Sequence, residues 1–117
     1  MAKYCQVSDF TDSLISGNVT EEILTKVDNY IDALLKQLGI NPAKVNPEDY
    51  PIIKELAVYF GSYLTCLELT SGENDVYLQK AKSYESLYIK LEKRLLSYGL
   101  KNSQGSAVPF TINILRG

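Results

Sequence analysis

The segment after Thr20 predicts an amphipathic helix that ends near Gly39. Its apolar residues recur every three or four positions, which matches the 3.6-residue turn of an α-helix. Thr20 is a favourable N-cap, and Gly39 suits the left-handed position that often follows a helix. The apolar positions are Ile23, Val27, Tyr30, Ile31, Leu34, Leu35 and Leu38.

A second long helix is predicted to begin at Pro51, after a proline-rich connection over Asn41–Pro51. The residues that follow are apolar on almost every side, until Ser71 and Gly72 end the helix. An all-round apolar helix is typical of the centre of a bundle, or of a helix with a partner on its outer side. Gly61 within it costs about 1 kcal/mol relative to Ala, so we expect a close helix crossing at that position.

The third long helix is predicted between Asn74, a favourable N-cap, and Gly99. Four of the nine tyrosines lie in it, and we expect them at half-buried positions, because a tyrosine has an apolar ring and a polar hydroxyl. A short helix is also predicted over Asp9–Ser16, with Ser8 as its N-cap. The predicted fold is therefore all-α: a small bundle of three long helices plus a short N-terminal helix, which together make one helical domain over residues 1–99.

Residues 100–117 are predicted to form a flexible C-terminal arm with an extended, strand-like end. Over Pro109–Arg116 apolar and polar residues alternate, and Phe110, Ile112 and Ile114 fall on one side. Three interpretations stay open. The segment could be an internal edge strand paired with the Tyr4–Val7 region, a strand that adds to a partner's sheet, or a segment that orders only on binding.

Composition argues against an enzyme, because the 117-residue chain contains no His. Histidine is the side chain best suited to proton transfer near neutral pH and the commonest metal ligand. The two cysteines, Cys5 and Cys66, are far apart in sequence, and we expect Cys66 to be a buried, reduced thiol on a helix. Asp28 and Asp32 share a helix face, which we interpret as a solvated one. We predict no catalytic residues, no cofactor and no metal site.

No apolar run approaches the ~20 residues that span a membrane, and the first ten residues lack the apolar stretch of a signal peptide. We expect a protein that stays in a reducing compartment and binds no membrane.

Charge is divided unevenly along the chain. Residues 1–75 carry 12 acidic and 5 basic side chains, whereas residues 76–117 carry 2 and 7, which gives net charges of −7 and +5. The basic residues of the last helix are candidate partner-binding residues, and so are the three apolar residues of the tail. A protomer with two such parts can associate head to tail with copies of itself. The helix candidates are Lys80, Lys82, Lys90, Lys93 and Arg94.

Three stretches of packing residues carry a family resemblance: ILTKVDNYIDALL at 23–35, IKELAVY at 53–59 and KAKSYESL at 80–87. In order and spacing they resemble the small head–tail connector proteins of tailed bacteriophages, also called head-completion or adaptor proteins. The resemblance covers residues 4–98. The arginine–tyrosine pair that these proteins usually carry near the start of the third helix is not evident.

The resemblance implies a structural virion protein with no catalytic residues. Such proteins form a homo-oligomeric ring, often a dodecamer, beneath the portal of a DNA-filled capsid, where they join the head to the neck or tail and extend the DNA channel. The implied partners are further copies, the portal protein, the next neck or tail component and the packaged DNA. The expected location is the virion neck, and the host bacterial cytoplasm during assembly.

The alternative hypothesis is a small helical binding module or regulator. It would contact a nucleic acid or an acidic partner through the same basic last helix, and its binding to DNA would weaken steeply with salt.

Overall fold

The computed structural model of the protein describes residues 3–70 and 76–100. Within these ranges the chain is mostly helical and contains no strand, which confirms the predicted all-α class. The helices are α1 (Ser13–Ser16), α2 (Glu21–Gln37), α3 (Pro51–Leu69) and α4 (Val76–Tyr98). Short 3-10 turns occur at Val7–Asp9, Pro42–Lys44 and Pro47–Asp49.

The ends of the long helices follow the predicted chemistry. The Thr20 hydroxyl caps α2 by accepting a hydrogen bond from the Ile23 N–H at 3.2 Å, and Pro51 occupies the first position of α3. Gly39 and Gly99 adopt φ values of 79° and 77° just beyond α2 and α4, a conformation that side chains other than glycine seldom adopt. The predicted N-cap of α4, Asn74, lies outside the described residues, as does the predicted end of α3 at Ser71 and Gly72.

The predicted short N-terminal helix is present, but its start at Asp9 is wrong, because the structure divides the stretch over Asp9–Ser16 in two. A 3-10 turn covers Val7–Asp9, and the Asp9 carboxylate accepts a hydrogen bond from the Gln6 N–H at 2.8 Å. Phe10 is extended, with φ −88° and ψ 105°, and α1 begins only at Ser13. Its N-cap is Asp12 rather than Ser8, because the Asp12 carboxylate accepts from the Leu14 N–H. The break carries the Phe10 ring into the core.

α3 is the central helix, since it packs against α1, α2 and α4. Its pairing with α4 is antiparallel: Ile52, near the start of α3, lies beside Tyr98, whereas Tyr59 lies beside Tyr84. Buried residues point from α3 in nearly every direction, as its all-round apolar sequence predicts.

Gly61 marks a close approach in the core. A Cβ at this position would lie 2.8 Å from Cζ of Phe10 and 3.3 Å from Cγ2 of Val27 in α2. The predicted close approach is therefore confirmed. Both Val27 of α2 and the Phe10 ring, which precedes α1, lie close to the α3 backbone at this position.

A cluster of four aromatic rings lies where α2, α3 and α4 meet. Tyr30 of α2 stacks on Phe60 of α3 with centroids 4.0 Å apart, and Tyr88 of α4 meets Phe60 edge-on at 5.0 Å. Tyr63 lies 5.2 Å from Tyr88. All four rings are half-buried. Of the four tyrosines of α4, Tyr77, Tyr84 and Tyr88 are half-buried as expected, whereas Tyr98 is 72% exposed.

Candidate interaction surface

The outward face of α4 carries four of the five predicted basic residues in exposed positions. Exposed serines lie between them, and two adjacent shallow depressions run along this face. Residues from Lys82 to Lys93 span roughly 16 Å along the helix axis at 1.5 Å per residue. We call this the basic α4 surface, and it consists of Lys82, Ser83, Ser86, Lys90, Lys93, Arg94 and Ser97.

The two acidic residues of α4, Glu85 and Glu92, are half-buried. Glu85 borders one of the two depressions beside the lysines, whereas Glu92 faces α2. Glu92 accepts a hydrogen bond from the Tyr30 hydroxyl of α2, and burial together with this carboxylate raises the pKa of Tyr30. Within the described part of the chain, no carboxylate lies at ion-pair distance from the four cations of the basic α4 surface. The outward face therefore carries four cations without an ion pair, with Glu85 at its margin as one nearby negative charge.

Lys80, the fifth predicted basic residue, is bound within the molecule. Its ammonium donates to Oδ2 of Asp12 at 2.7 Å, and the Tyr84 hydroxyl donates to the same oxygen at 2.7 Å. The other carboxylate oxygen, Oδ1, caps α1. Asp12 thus links the start of α1 to α4.

The pKa values at this link follow from those contacts. The hydrogen bond from Lys80 is the largest of the effects that together hold the pKa of Asp12 below its usual range. Burial raises the pKa of Tyr84, and the adjacent Asp12 carboxylate raises it further. At neutral pH the contact is therefore an ionised carboxylate that accepts from an ammonium and a neutral phenol.

Two carboxylates of α2, Asp28 and Asp32, hold the N-terminal segment against this helix. The Lys3 backbone N–H donates to both carboxylate oxygens of Asp28 at 3.1 Å, and the Lys3 ammonium lies 2.8 Å from Asp32. The Tyr4 hydroxyl also donates to Asp32. We call these contacts the N-terminal clasp. The prediction that Asp28 and Asp32 lie on a solvated helix face is therefore incomplete. Both carboxylates also accept hydrogen bonds from the N-terminal segment.

Cys5, which follows the clasp residues Lys3 and Tyr4 in sequence, carries a buried thiol. Cys5 and Cys66 are both free and buried, which confirms the expectation for Cys66. Burial is the largest of the effects that raise the pKa of Cys5 to about 12, and the Asp9 and Asp28 carboxylates add to it. Burial also raises the pKa of Cys66. Both thiols are therefore protonated and poorly nucleophilic at neutral pH.

The tail candidates Phe110, Ile112 and Ile114 lie outside the described residues, and their assignment stays a prediction. Over residues 3–70 and 76–100, no cluster of three or more potential metal-ligating side chains is suited to hold an ion. No helix in those ranges is both long and apolar enough to cross a membrane. Neither a family model, nor a curated protein, nor a solved structure matches the chain.

Proposed function

We propose that this protein is a structural component of a tailed-bacteriophage virion. It forms a ring beneath the portal, joins the head to the neck or tail and extends the DNA channel. The observation that carries the proposal is the separation of charge: the basic α4 surface projects from a chain whose first 75 residues have a net charge of −7. Heterologous contacts between such protomers close into rings when the rotation between copies allows it.

The positions of the three resembling stretches support the proposal. Each stretch contributes buried residues to the core. The residues that resemble connector proteins therefore include residues that pack the helices together. The first stretch supplies Ile23, Val27 and Ile31, the second supplies Ile53, Leu56 and Ala57, and the third supplies Ala81.

The proposed assembly has two candidate contact regions. The basic α4 surface faces either an acidic part of the neighbouring copy or the DNA in the channel. The Pro109–Arg116 segment reaches the portal, a neighbour or the next neck component. The proposal assigns no catalytic activity and no cofactor to the chain.

Electron microscopy of portal rings mixed with the purified protein tests this proposal. The portal should be the one encoded in the same genome as the protein. We expect a new ring of density at one end of each portal, coaxial with its channel. Portal particles that stay unchanged at every protein concentration would contradict the proposal.

A further inference from the structure

We propose that the basic α4 surface binds the phosphate backbone of duplex DNA without reading the base sequence. The inference deepens the proposed function, on which it rests for the setting in which the protein meets DNA. The proposed function leaves two partners open for this surface, an acidic part of a neighbouring copy and DNA, and the inference selects DNA.

The spacing of the cations suits a linear polyanion. Lys82, Lys90 and Lys93 are exposed over roughly 16 Å of α4 and lie within about 80° of one another around its axis. Arg94 is exposed about 40° further round, on the side of Ile52 of α3. Duplex DNA carries one negative charge per roughly 1.7 Å of its axis, so a segment of that length presents on the order of nine phosphates. Each of the four cations can therefore pair with a phosphate without any change in the helix.

The residues between the cations favour phosphate contacts as well. Ser83, Ser86 and Ser97 are exposed, and their short side chains let a phosphate approach the helix closely. Serine hydroxyls, lysine and arginine are common donors to phosphate oxygens, and such contacts carry no direct sequence information. Three of the four cations are lysines, which act as point charges and lack the planar fork by which arginine reads guanine.

A second copy of the chain offers this surface only scattered carboxylates among the described residues, which can attract a neighbouring copy but do not match the spacing of the cations. Asp12, Asp28 and Asp32 already have cationic or backbone partners inside the molecule, and Glu48 pairs with Lys54 at 2.9 Å. The remaining exposed carboxylates do not form a row on one helix face. They are Glu21 and Glu22 at the start of α2, Asp49 after Pro47, and Glu55 and Glu68 at opposite ends of α3. Duplex DNA, in contrast, presents its phosphates in continuous rows.

Fluorescence anisotropy with a labelled 20-base-pair duplex tests the inference. Each neutralised phosphate contributes about −0.9 to the slope of log K against log salt, so four contacts predict a slope near −3.6. Tripling the salt concentration should then weaken binding about 50-fold. A second duplex of unrelated sequence should bind with the same affinity.

A pair of charge-matched variants localises the effect. Lys90→Gln with Lys93→Gln removes two cations from the surface and should reduce the slope to about −1.8. Lys26→Gln with Lys44→Gln removes two exposed lysines elsewhere and leaves the same net charge, so its slope should stay near the wild-type value. Equal losses in the two variants would overturn the inference, because net charge alone would explain them.

The remaining outcomes separate this inference from the proposed function. Portal-bound rings that form while the protein shows no DNA binding at low salt would overturn the inference and leave the connector role intact. Binding to polyglutamate with no binding to DNA would also overturn it, because the surface would then be a site for an acidic protein. DNA binding by the protein without ring formation would support the inference and contradict the connector role.

Discussion

At the scale of single residues, Gly61 is a position where the core should not tolerate even one added methyl group. Gly61→Ala would place a methyl group 2.8 Å from the Phe10 ring, which is buried and cannot move freely. Overpacking of this kind costs about 1–3 kcal/mol, against a helix-propensity gain of about 1 kcal/mol. We expect a net loss of about 1 kcal/mol in the free energy of unfolding, measured by urea denaturation.

Gly17→Ala is the matched control for Gly61→Ala, because nothing lies within 4 Å of a Cβ at Gly17 and its φ of −78° suits any residue. Its stability should be unchanged or slightly raised. Combining Gly61→Ala with Phe10→Leu should recover part of the loss, since the smaller side chain vacates the contact. A gain in stability from Gly61→Ala alone would show that the Phe10 ring does not occupy this position.

The Asp12 link predicts a specific pH dependence. Asp12→Asn keeps an oxygen that can cap α1 but removes the charge that Lys80 and Tyr84 face. Hydrogen bonds to a charged group contribute about 1.5–3 kcal/mol, so we expect a loss in that range at pH 7. Because folding lowers the pKa of Asp12, this stability is present above the unfolded-state pKa of about 3.9 and is lost as pH falls through the folded-state value.

Urea denaturation of the wild type and of Asp12→Asn at several pH values measures this difference. The gap between the two curves should begin to close as pH falls below about 4 and should vanish once the folded-state carboxyl group of the wild type is protonated as well. Asp49→Asn, at an exposed carboxylate, should change stability by less than about 0.5 kcal/mol throughout. A constant gap between wild type and Asp12→Asn down to pH 2.5 would contradict the assigned ion pair.

At the scale of whole elements, the N-terminal segment should open more readily when its clasp is weakened. Asp32→Asn removes the charge that holds the Lys3 ammonium and the Tyr4 hydroxyl. Asp32 is preferable to Asp28 as a test site, because Asp28 also raises the pKa of the Cys5 thiol directly. A loss of about 1–2 kcal/mol in clasp stability corresponds to a 5- to 30-fold rise in the open population. Alkylation of Cys5 should accelerate by a similar factor.

Peptide-resolved mass spectrometry after timed alkylation measures this opening, and Cys66 in the same chain serves as an internal reference. Cys66 is buried in α3, so its labelling should stay at the wild-type rate if only the N-terminal segment opens. Equal acceleration at both cysteines would indicate global destabilisation instead. Unchanged labelling of Cys5 would show that the clasp does not control access to it.

The elements that the sequence predicts well are those whose signals are local. α2 and α3 begin at Thr20 and Pro51, and Gly39 and Gly99 lie beyond the ends of α2 and α4, because caps and backbone preferences act within a few residues. The stretch over residues 9–16 departs from its prediction because burial of the Phe10 ring against Gly61 outweighs local helix propensity.

The candidate surface was also predictable only in part. The basic character of α4 follows from composition, and its period indicates which residues face outward. The separation of Lys80 from the other four cations was not predictable, because its partner Asp12 lies 68 positions away in sequence. The clasp partners of Asp28 and Asp32 are 24 to 29 positions away, and no local pattern marks them.

For the whole molecule, the charge asymmetry connects the fold to the proposed role. Glu92 of α4 is bound by Tyr30 and Lys80 by Asp12, while Lys82, Lys90, Lys93 and Arg94 remain exposed and form no ion pair within the described residues. A net charge of −2 for the full chain therefore conceals a strongly polarised surface. Such polarity favours ordered association with a defined partner over non-specific aggregation.

Native mass spectrometry of the protein mixed with its own portal tests the central claim most directly. The account predicts a complex whose mass exceeds that of the portal ring by a fixed whole number of 13.1 kDa copies, independent of excess protein. A portal ring that gains no mass at any protein concentration, or that gains a continuous spread of copy numbers, would contradict it.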